Sequence, residues 1–177
     1  MSLYTMRPKG RFTDGLKAMI DYLPMNNIVM AELGSYAGES TQIFLNSSKI
    51  KRIDAFDLWD DHDAEIVFDE LWYNHLTISD VHRLYKYKHN ILMTYRDIED
   101  DCYDFIYIDA DHTYESTKAN IINWYPKLKA TGIMGGHDYS HKYWPGVVKA
   151  VNELFHNRNI IFFPDSSWIV GKYNELC

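Results

Sequence analysis

The stretch that most constrains this chain is Met30-Ala31-Glu32-Leu33-Gly34-Ser35-Tyr36-Ala37-Gly38-Glu39-Ser40-Thr41. The apolar run over residues 28–33 reads as a buried strand, and residues 40–47 read as a helix. A glycine-rich turn between strand and helix leaves room for a ligand to reach backbone N–H groups. Glu32, just before the first glycine, selects among ligands. It repels a pyrophosphate and attracts an ammonium or sulfonium group. The G-x-x-x-G spacing alone is equally that of a tight turn, and the G-x-G-x-x-G dinucleotide pattern is absent.

The pattern of strand, turn and helix recurs along the chain. Leu16, Met19, Ile20 and Leu23 have helical spacing over residues 13–23, with Thr13 or Asp14 as the cap, and Pro24 ends that helix. Residues 52–58 form the expected second strand, with helices over 64–76 and 79–87 and a third strand over 91–95. The fourth strand, 103–109, is nearly continuous in apolar residues, as a strand covered on both faces should be. A helix over 115–125, a strand over 131–136 and a helix over 146–156 follow. Two closing strands, 160–163 and 168–170, flank Pro164-Asp165-Ser166-Ser167. Such alternation predicts an α/β, Rossmann-like, doubly wound sheet of seven strands, mostly parallel, with a C-terminal antiparallel hairpin. The 177 residues suit a single domain, with residues 1–12 as a lid arm and 59–90 as a helical insert.

Ligands of such sheets sit beyond the carboxyl ends of the strands. Four polar groups fall there: the glycine loop, Asp57, Asp109-Ala110-Asp111-His112, and His137-Asp138. Asp57 lies where an acid accepts hydrogen bonds from ribose hydroxyls, though a solvated acid or helix cap is the plain alternative. Asp109 and Asp111, at alternate positions past a strand end, can enter one cleft, while Asp111 or Thr113 also suits a helix cap.

Charge and cysteine content narrow the class. A net charge of −7 argues against a duplex nucleic-acid binder. Lys49-Ile50-Lys51-Arg52, the main basic cluster, reads as a solvated lead into a strand. No segment is apolar for long enough to span a bilayer, and no secretory pattern is seen, so a soluble cytoplasmic protein is expected. Cys102 and Cys177 lack metal-like spacing and are expected to be reduced. The expected partner is a small-molecule acceptor. A homodimer stays open, and neither nucleic acid nor membrane is expected.

Three segments carry a resemblance. Glu32-Leu33-Gly34-Ser35-Tyr36-Ala37-Gly38-Glu39-Ser40 resembles motif I of class I S-adenosylmethionine-dependent methyltransferases, closest to small O-methyltransferases. Asp104-Phe105-Ile106-Tyr107-Ile108-Asp109-Ala110-Asp111-His112-Thr113-Tyr114-Glu115 resembles the corresponding segment of methyltransferase family 24. Gly135-Gly136-His137-Asp138-Tyr139 followed by Pro145-Gly146-Val147-Val148 resembles a third stretch of that branch. The resemblance spans roughly residues 13–172.

The resemblance implies S-adenosylmethionine as cofactor. Glu32, Gly34 and Gly38 would surround its methionine part, Ser35 and Ser40 its carboxylate, and Asp57 its ribose. Asp109 would border the same site, and Tyr95 and Arg96 would flank the adenine. Asp111, His112 and His137 are the catalytic candidates. Asp109, His137 and Asp138 are the candidate ligands of a magnesium-type ion, as in metal-dependent O-methyltransferases, although histidine is softer than magnesium prefers. A metal-free version would use His137 or His112 as general base. Tyr4, Trp59, Trp72, Tyr139 and Trp144 are candidate lining residues. His62, His75, His82, His89 and His156 read as surface or packing residues. The activity implied is O-methyl transfer. A metal-dependent hydrolase built on Asp109, Asp111, His112, His137 and Asp138, and a non-catalytic subunit keeping the cofactor fold, are the competing readings.

Overall fold

A computed structural model describes residues 11–74 and 82–172. Among them helices and strands alternate: α1 (Arg11–Tyr22), β1 (Ile28–Leu33), α2 (Glu39–Leu45), β2 (Ile50–Asp57), α3 (His62–Asn74), β3 (Leu84–Lys88), α4 (Ile91–Thr94), β4 (Tyr103–Ile108), α5 (Tyr114–Trp124), β5 (Leu128–Gly136), α6 (Pro145–Leu154), β6 (Ile161–Phe162) and β7 (Trp168–Gly171). The seven strands form one sheet in the order β3-β2-β1-β4-β5-β7-β6. The first five pair in parallel, and β7 runs antiparallel to both β5 and β6. This is the doubly wound sheet with a C-terminal hairpin that the alternation predicts. Among the described residues no helix is long and apolar enough to cross a membrane.

The central strands read as continuous apolar runs because each face meets a different core. Phe105 and Tyr107 of β4 join Leu16, Met19 and Ile20 of α1 and Phe44 of α2. Ile106 and Ile108, one residue out of phase, join Ile121 and Trp124 of α5 and Val147 and Val151 of α6. Alternate side chains point to opposite faces, so helices on both sides require apolar residues at every position. Each fully buried large side chain contributes roughly 1.5–3 kcal/mol.

The region around β3 departs from expectation. Of the helix expected over 79–87, residues up to 81 lie outside the described part, and the remainder is strand β3 with its preceding turn. The segment expected to be the third strand, 91–95, instead forms α4 and a following 3-10 turn. Register with β2, Ile53 opposite Leu84 through Asp57 opposite Lys88, decides the strand. Its lysines are neutralised from α3: Lys86 Nζ lies 2.9 Å from Glu65 and 2.6 Å from Asp69, and Lys88 Nζ lies 2.6 Å from Glu65. Asn90 turns the chain into α4 by accepting a hydrogen bond from the Leu92 N–H at 2.9 Å. The expected helical insert is therefore a helix followed by an edge strand. The lid arm lies almost wholly outside the described residues.

Gly34 is the tightest point of the sheet's carboxyl edge. Its φ is +91°, and a Cβ there would stand 2.1 Å from the Asp109 carbonyl oxygen. Gly34→Ala should therefore lower the unfolding free energy by about 2–4 kcal/mol, from positive φ and backbone overlap together. Denaturant unfolding measures this, and an unchanged midpoint would refute the tight approach.

Candidate active site

The chain order reverses between β1 and β4, which opens a crevice at the carboxyl edge. Backbone pairing continues one residue past the strands. Gly34 N–H donates to Phe56 O at 2.8 Å, Asp109 N–H to Leu33 O at 2.8 Å, and His137 N–H to Ile108 O at 3.0 Å. The loops after β1 to β5 thereby line a single cleft of roughly 740 Å³. Gly34, Ser35, Gly38, Ser40, Asp57, Asp109, Asp111, His112, His137 and Asp138 all border it.

Glu32 does not border it. Its side chain is fully buried beneath the glycine loop. Ser35 and Ser40 hydroxyls donate to it at 3.0 and 2.6 Å, and Thr41 donates to it as well. Burial raises its pKa to about 7, against the opposing effect of these hydrogen bonds and with a small addition from Asp109. Glu32 thus braces the loop from below. The hydroxyls expected to meet a ligand carboxylate are turned toward it. Thr41, the third hydroxyl, escaped the sequence reading because its partner lies nine residues away on another element.

Asp57 anchors the loop from the other side. Its Oδ2 accepts the Tyr36 N–H at 2.9 Å, and its Oδ1 accepts the Trp59 N–H at 2.8 Å. Trp59 Nε1 returns to the Tyr36 carbonyl at 2.7 Å. Tyr36 and Trp59 both hold positive φ, 44° and 46°, and Asp138 does so at 61°. Each such residue costs on the order of 1–3 kcal/mol, and all three stand in the cleft wall.

The far wall after β3 is made by His89, Asn90, Ile91 and Leu92. Tyr95 and Arg96, expected there, are displaced because β3 ends earlier. Tyr95 is partly buried and packs against the core, and Arg96 Nη1 lies 3.1 Å from Met93 Sδ. Trp59 and Trp144 line the cleft, but Tyr139 does not, its hydroxyl donating to Asn152 at 2.9 Å. Tyr4 and the Trp72 side chain lie outside the described residues.

The opposite half of the cleft is a knot of acids and imidazoles. His112 Nε2 lies 2.8 Å from Asp138 Oδ2 and 3.7 Å from Asp109 Oδ1. His137 Nδ1 lies 3.2 Å from the other Asp138 oxygen, and its Nε2 lies 3.9 Å from buried Asp165. Burial opposes the charged imidazole of His112, yet hydrogen bonds and charge from Asp109 and Asp138 outweigh it and lift its pKa to about 9. Burial likewise opposes the charged form of Asp138, but His112 and His137 hold its carboxyl well below the usual range. The Trp144 ring covers His112, centroids 4.2 Å apart. Gly146 permits this: a Cβ there would meet Tyr114 N at 2.7 Å, so α6 can start against the His112–Tyr114 backbone. Asp165 had no signal in the sequence beyond a turn, and within that turn it accepts the Ser167 hydroxyl at 2.8 Å.

Asp111 stands apart from this knot. It is exposed, and its oxygens accept the Thr113 N–H at 3.0 Å and the Thr113 hydroxyl at 3.2 Å. Thr113 in turn caps α5 through the Ser116 N–H.

Ligand atoms of Asp109, His137 and Asp138 lie within 4.8 Å of one another, close enough to consider a metal ion. The donor set does not fit a magnesium-type ion. Both Asp138 oxygens already face imidazoles, and His112 occupies the edge between Asp138 and Asp109. Two carboxylates and a histidine are also a poor substitute for the oxygen octahedron that magnesium demands.

A family model described as a methyltransferase domain matches residues 31–139, more than half of the chain. The chain belongs to methyltransferase family 24. Membership makes S-adenosylmethionine the methyl donor of this methyltransferase. No curated protein matches its sequence. Similar solved structures include a SAM-dependent O-methyltransferase of Thermotoga maritima, with a TM-score of 0.65 at 10% identity, covering 95% of this chain and 67% of that one. CalS11, a TDP-rhamnose 3'-O-methyltransferase of calicheamicin biosynthesis, aligns at 0.61 with 16% identity, over 90% of this chain and 76% of its own. The cofactor-bound protein Rv0187 from MTB aligns at 0.67 with 13% identity, over 96% and 83%. At these identities the likeness establishes the fold.

The raised pKa of Glu32 makes stability pH-dependent in this methyltransferase. The stabilisation is fully present below the free carboxyl value of 4.5 and is lost as pH rises through about 7. The ionised form then costs about 3 kcal/mol. Unfolding free energy should therefore fall between pH 5 and 8 by more in wild type than in Glu32→Gln. Parallel slopes for the two proteins in urea titrations would show that Glu32 is not the titrating group.

Proposed function

We propose that the chain transfers a methyl group from S-adenosylmethionine to a hydroxyl oxygen of a small acceptor. The observation carrying this reading is the single cleft shared by the glycine loop with Asp57 and by the His112–Asp138 pair. The lining chemistry suits the cofactor. Asp57 has one backbone N–H on each oxygen, which fixes its plane and leaves a lone pair on each for the ribose hydroxyls. Ile91 and Leu92 offer an apolar wall for a purine. Among the described lining residues there are seven acids and no lysine or arginine, which favours a sulfonium and disfavours a pyrophosphate.

When bound, S-adenosylmethionine supplies a methyl carbon made electrophilic by its positive sulfur. The acceptor oxygen forms the C–O bond as the S–C bond breaks, and the electron pair stays on sulfur. The acceptor proton passes to Nδ1 of His112, whose Nε2 is held by Asp138. A base oriented by a carboxylate is the usual arrangement for activating a hydroxyl. Trp144 over the ring limits its rotation and its access to water. The hydrolase alternative loses support because Asp111 is committed to the start of α5.

The same electrostatics select the acceptor. Each carboxylate about 8 Å from a phosphate charge costs roughly 0.5–2 kcal/mol. A nucleotide-linked sugar, such as the one naming CalS11, is therefore disfavoured here, and neutral or amine-bearing hydroxylated molecules are preferred.

Calorimetry tests the cofactor half: S-adenosylmethionine should bind, and Asp57→Ala should weaken it at least tenfold. No binding to wild type would end the transferase reading. His112→Ala should lower turnover by about 10²–10⁴-fold while leaving cofactor affinity within a few-fold. Because only the neutral imidazole accepts a proton, kcat/KM should rise about tenfold per pH unit from 7 and level off near 9. Asp109 and Asp138 are the titratable groups facing it, and His137 meets the other oxygen of Asp138. A profile flat from pH 6 to 9 would remove His112 as base. In an acceptor screen that detects S-adenosylhomocysteine, fastest turnover with a phosphorylated or nucleotide-linked acceptor would contradict the charge argument.

A further inference from the structure

We propose that His112 takes the place of a divalent cation in this site: its imidazole pairs with Asp138 and stands beside Asp109, and the site works without a metal. Three observations carry this inference. The ligand atoms of Asp109, His137 and Asp138 are close enough to share an ion. His112 Nε2 nevertheless stands against the same two carboxylates, 2.8 Å from Asp138 and 3.7 Å from Asp109, where an ion would take its oxygen ligands. His137 Nδ1 faces the remaining Asp138 oxygen at 3.2 Å, so each oxygen of that carboxylate already has an imidazole nitrogen beside it.

The surroundings keep His112 in this place. The Trp144 ring lies over it at 4.2 Å. The chain on its C-terminal side is fixed by the Thr113 cap of α5 and by the close approach of Gly146 to the His112 carbonyl, where a Cβ would stand 3.0 Å away. A swing of the ring out of the cluster would have to displace Trp144 and leave two carboxylates facing each other. Imidazole and cation are therefore alternative occupants of one position, and binding of one excludes the other.

The consequence for chemistry rests on the methyltransferase reading. An ion would orient and polarise the acceptor oxygen. Here His112 does both from the protein side, hydrogen-bonding the oxygen and accepting its proton. The consequence for metal binding does not depend on that reading.

Manganese(II) titration of the full chain, followed by the loss of its electron paramagnetic resonance signal, tests the exclusion directly. Wild type should show no binding tighter than millimolar at this site. His112→Ala should bind at least tenfold more tightly than wild type, and adding Asp138→Asn should abolish the gain. His112→Asn serves the same purpose if the alanine variant does not fold, as judged by circular dichroism. Micromolar binding to wild type that disappears in Asp138→Asn would overturn the proposal, as would a folded His112 variant that gains no affinity. Methyl transfer by wild type should be unchanged after chelation, and a tenfold loss restored by magnesium would also overturn it. Failure to form S-adenosylhomocysteine under any condition would count against the transferase reading alone, because the manganese result stands without turnover.

Discussion

Strand pairing at the carboxyl edge of the sheet is the constraint on which the rest of the site depends. Leu33 pairs with Phe56 on one side and Ile108 on the other, and Ile108 pairs with Gly136. One residue further, Gly34, Asp109 and His137 each donate an N–H to the neighbouring strand. Parallel strands bring all their carboxyl ends to one edge, so residues scattered over more than half the chain share a cleft. The approach is closest at Gly34, where the Asp109 carbonyl leaves no room for a side chain. The glycine loop is therefore shaped by its neighbour strand before any ligand arrives.

Two polar centres then shape the cleft, one buried beneath its glycine loop and one half-buried in its wall, and they are stabilised in different ways. Among the described residues, no cationic side chain pairs with Glu32. Three hydroxyls satisfy it, and burial leaves its carboxyl poised near pH 7. The His112 group is paired instead: two acids hold one imidazole, and the acid shared with His137 stays ionised. Charges removed from water need such partners, since an unpaired one costs several kcal/mol. The first centre holds the glycine loop from below, and the second places an imidazole beside two carboxylates in the cleft wall. They meet through Asp109, which is close to both.

Much of this was legible in the sequence because it is written in local patterns. The apolar alternation of β4, the glycine loop after β1 and the acids at strand ends are all short-range signals. The region around β3 was not legible. Lys86 and Lys88 look unlike a strand until Glu65 and Asp69 neutralise them from α3. The cleft wall after β3 shifted with it, to His89 through Leu92 rather than Tyr95 and Arg96. Glu32 was expected to face the ligand, but it lies beneath the loop, where Ser40 and Thr41 fold back over it.

The sequence by itself determined the class of fold and the edge of the sheet where most of the singled-out polar residues line one cleft. Periodicity and glycine placement act over a few residues and survive without the rest of the chain. Tertiary structure alone decided which partner each polar group takes. It turned Ser35 and Ser40 toward Glu32, tied Asp111 to Thr113, which caps α5, and brought His112 against Asp109 and Asp138. Those choices depend on distances between separate loops, and a buried or half-buried charge accepts whichever partner the packing brings within about 3 Å.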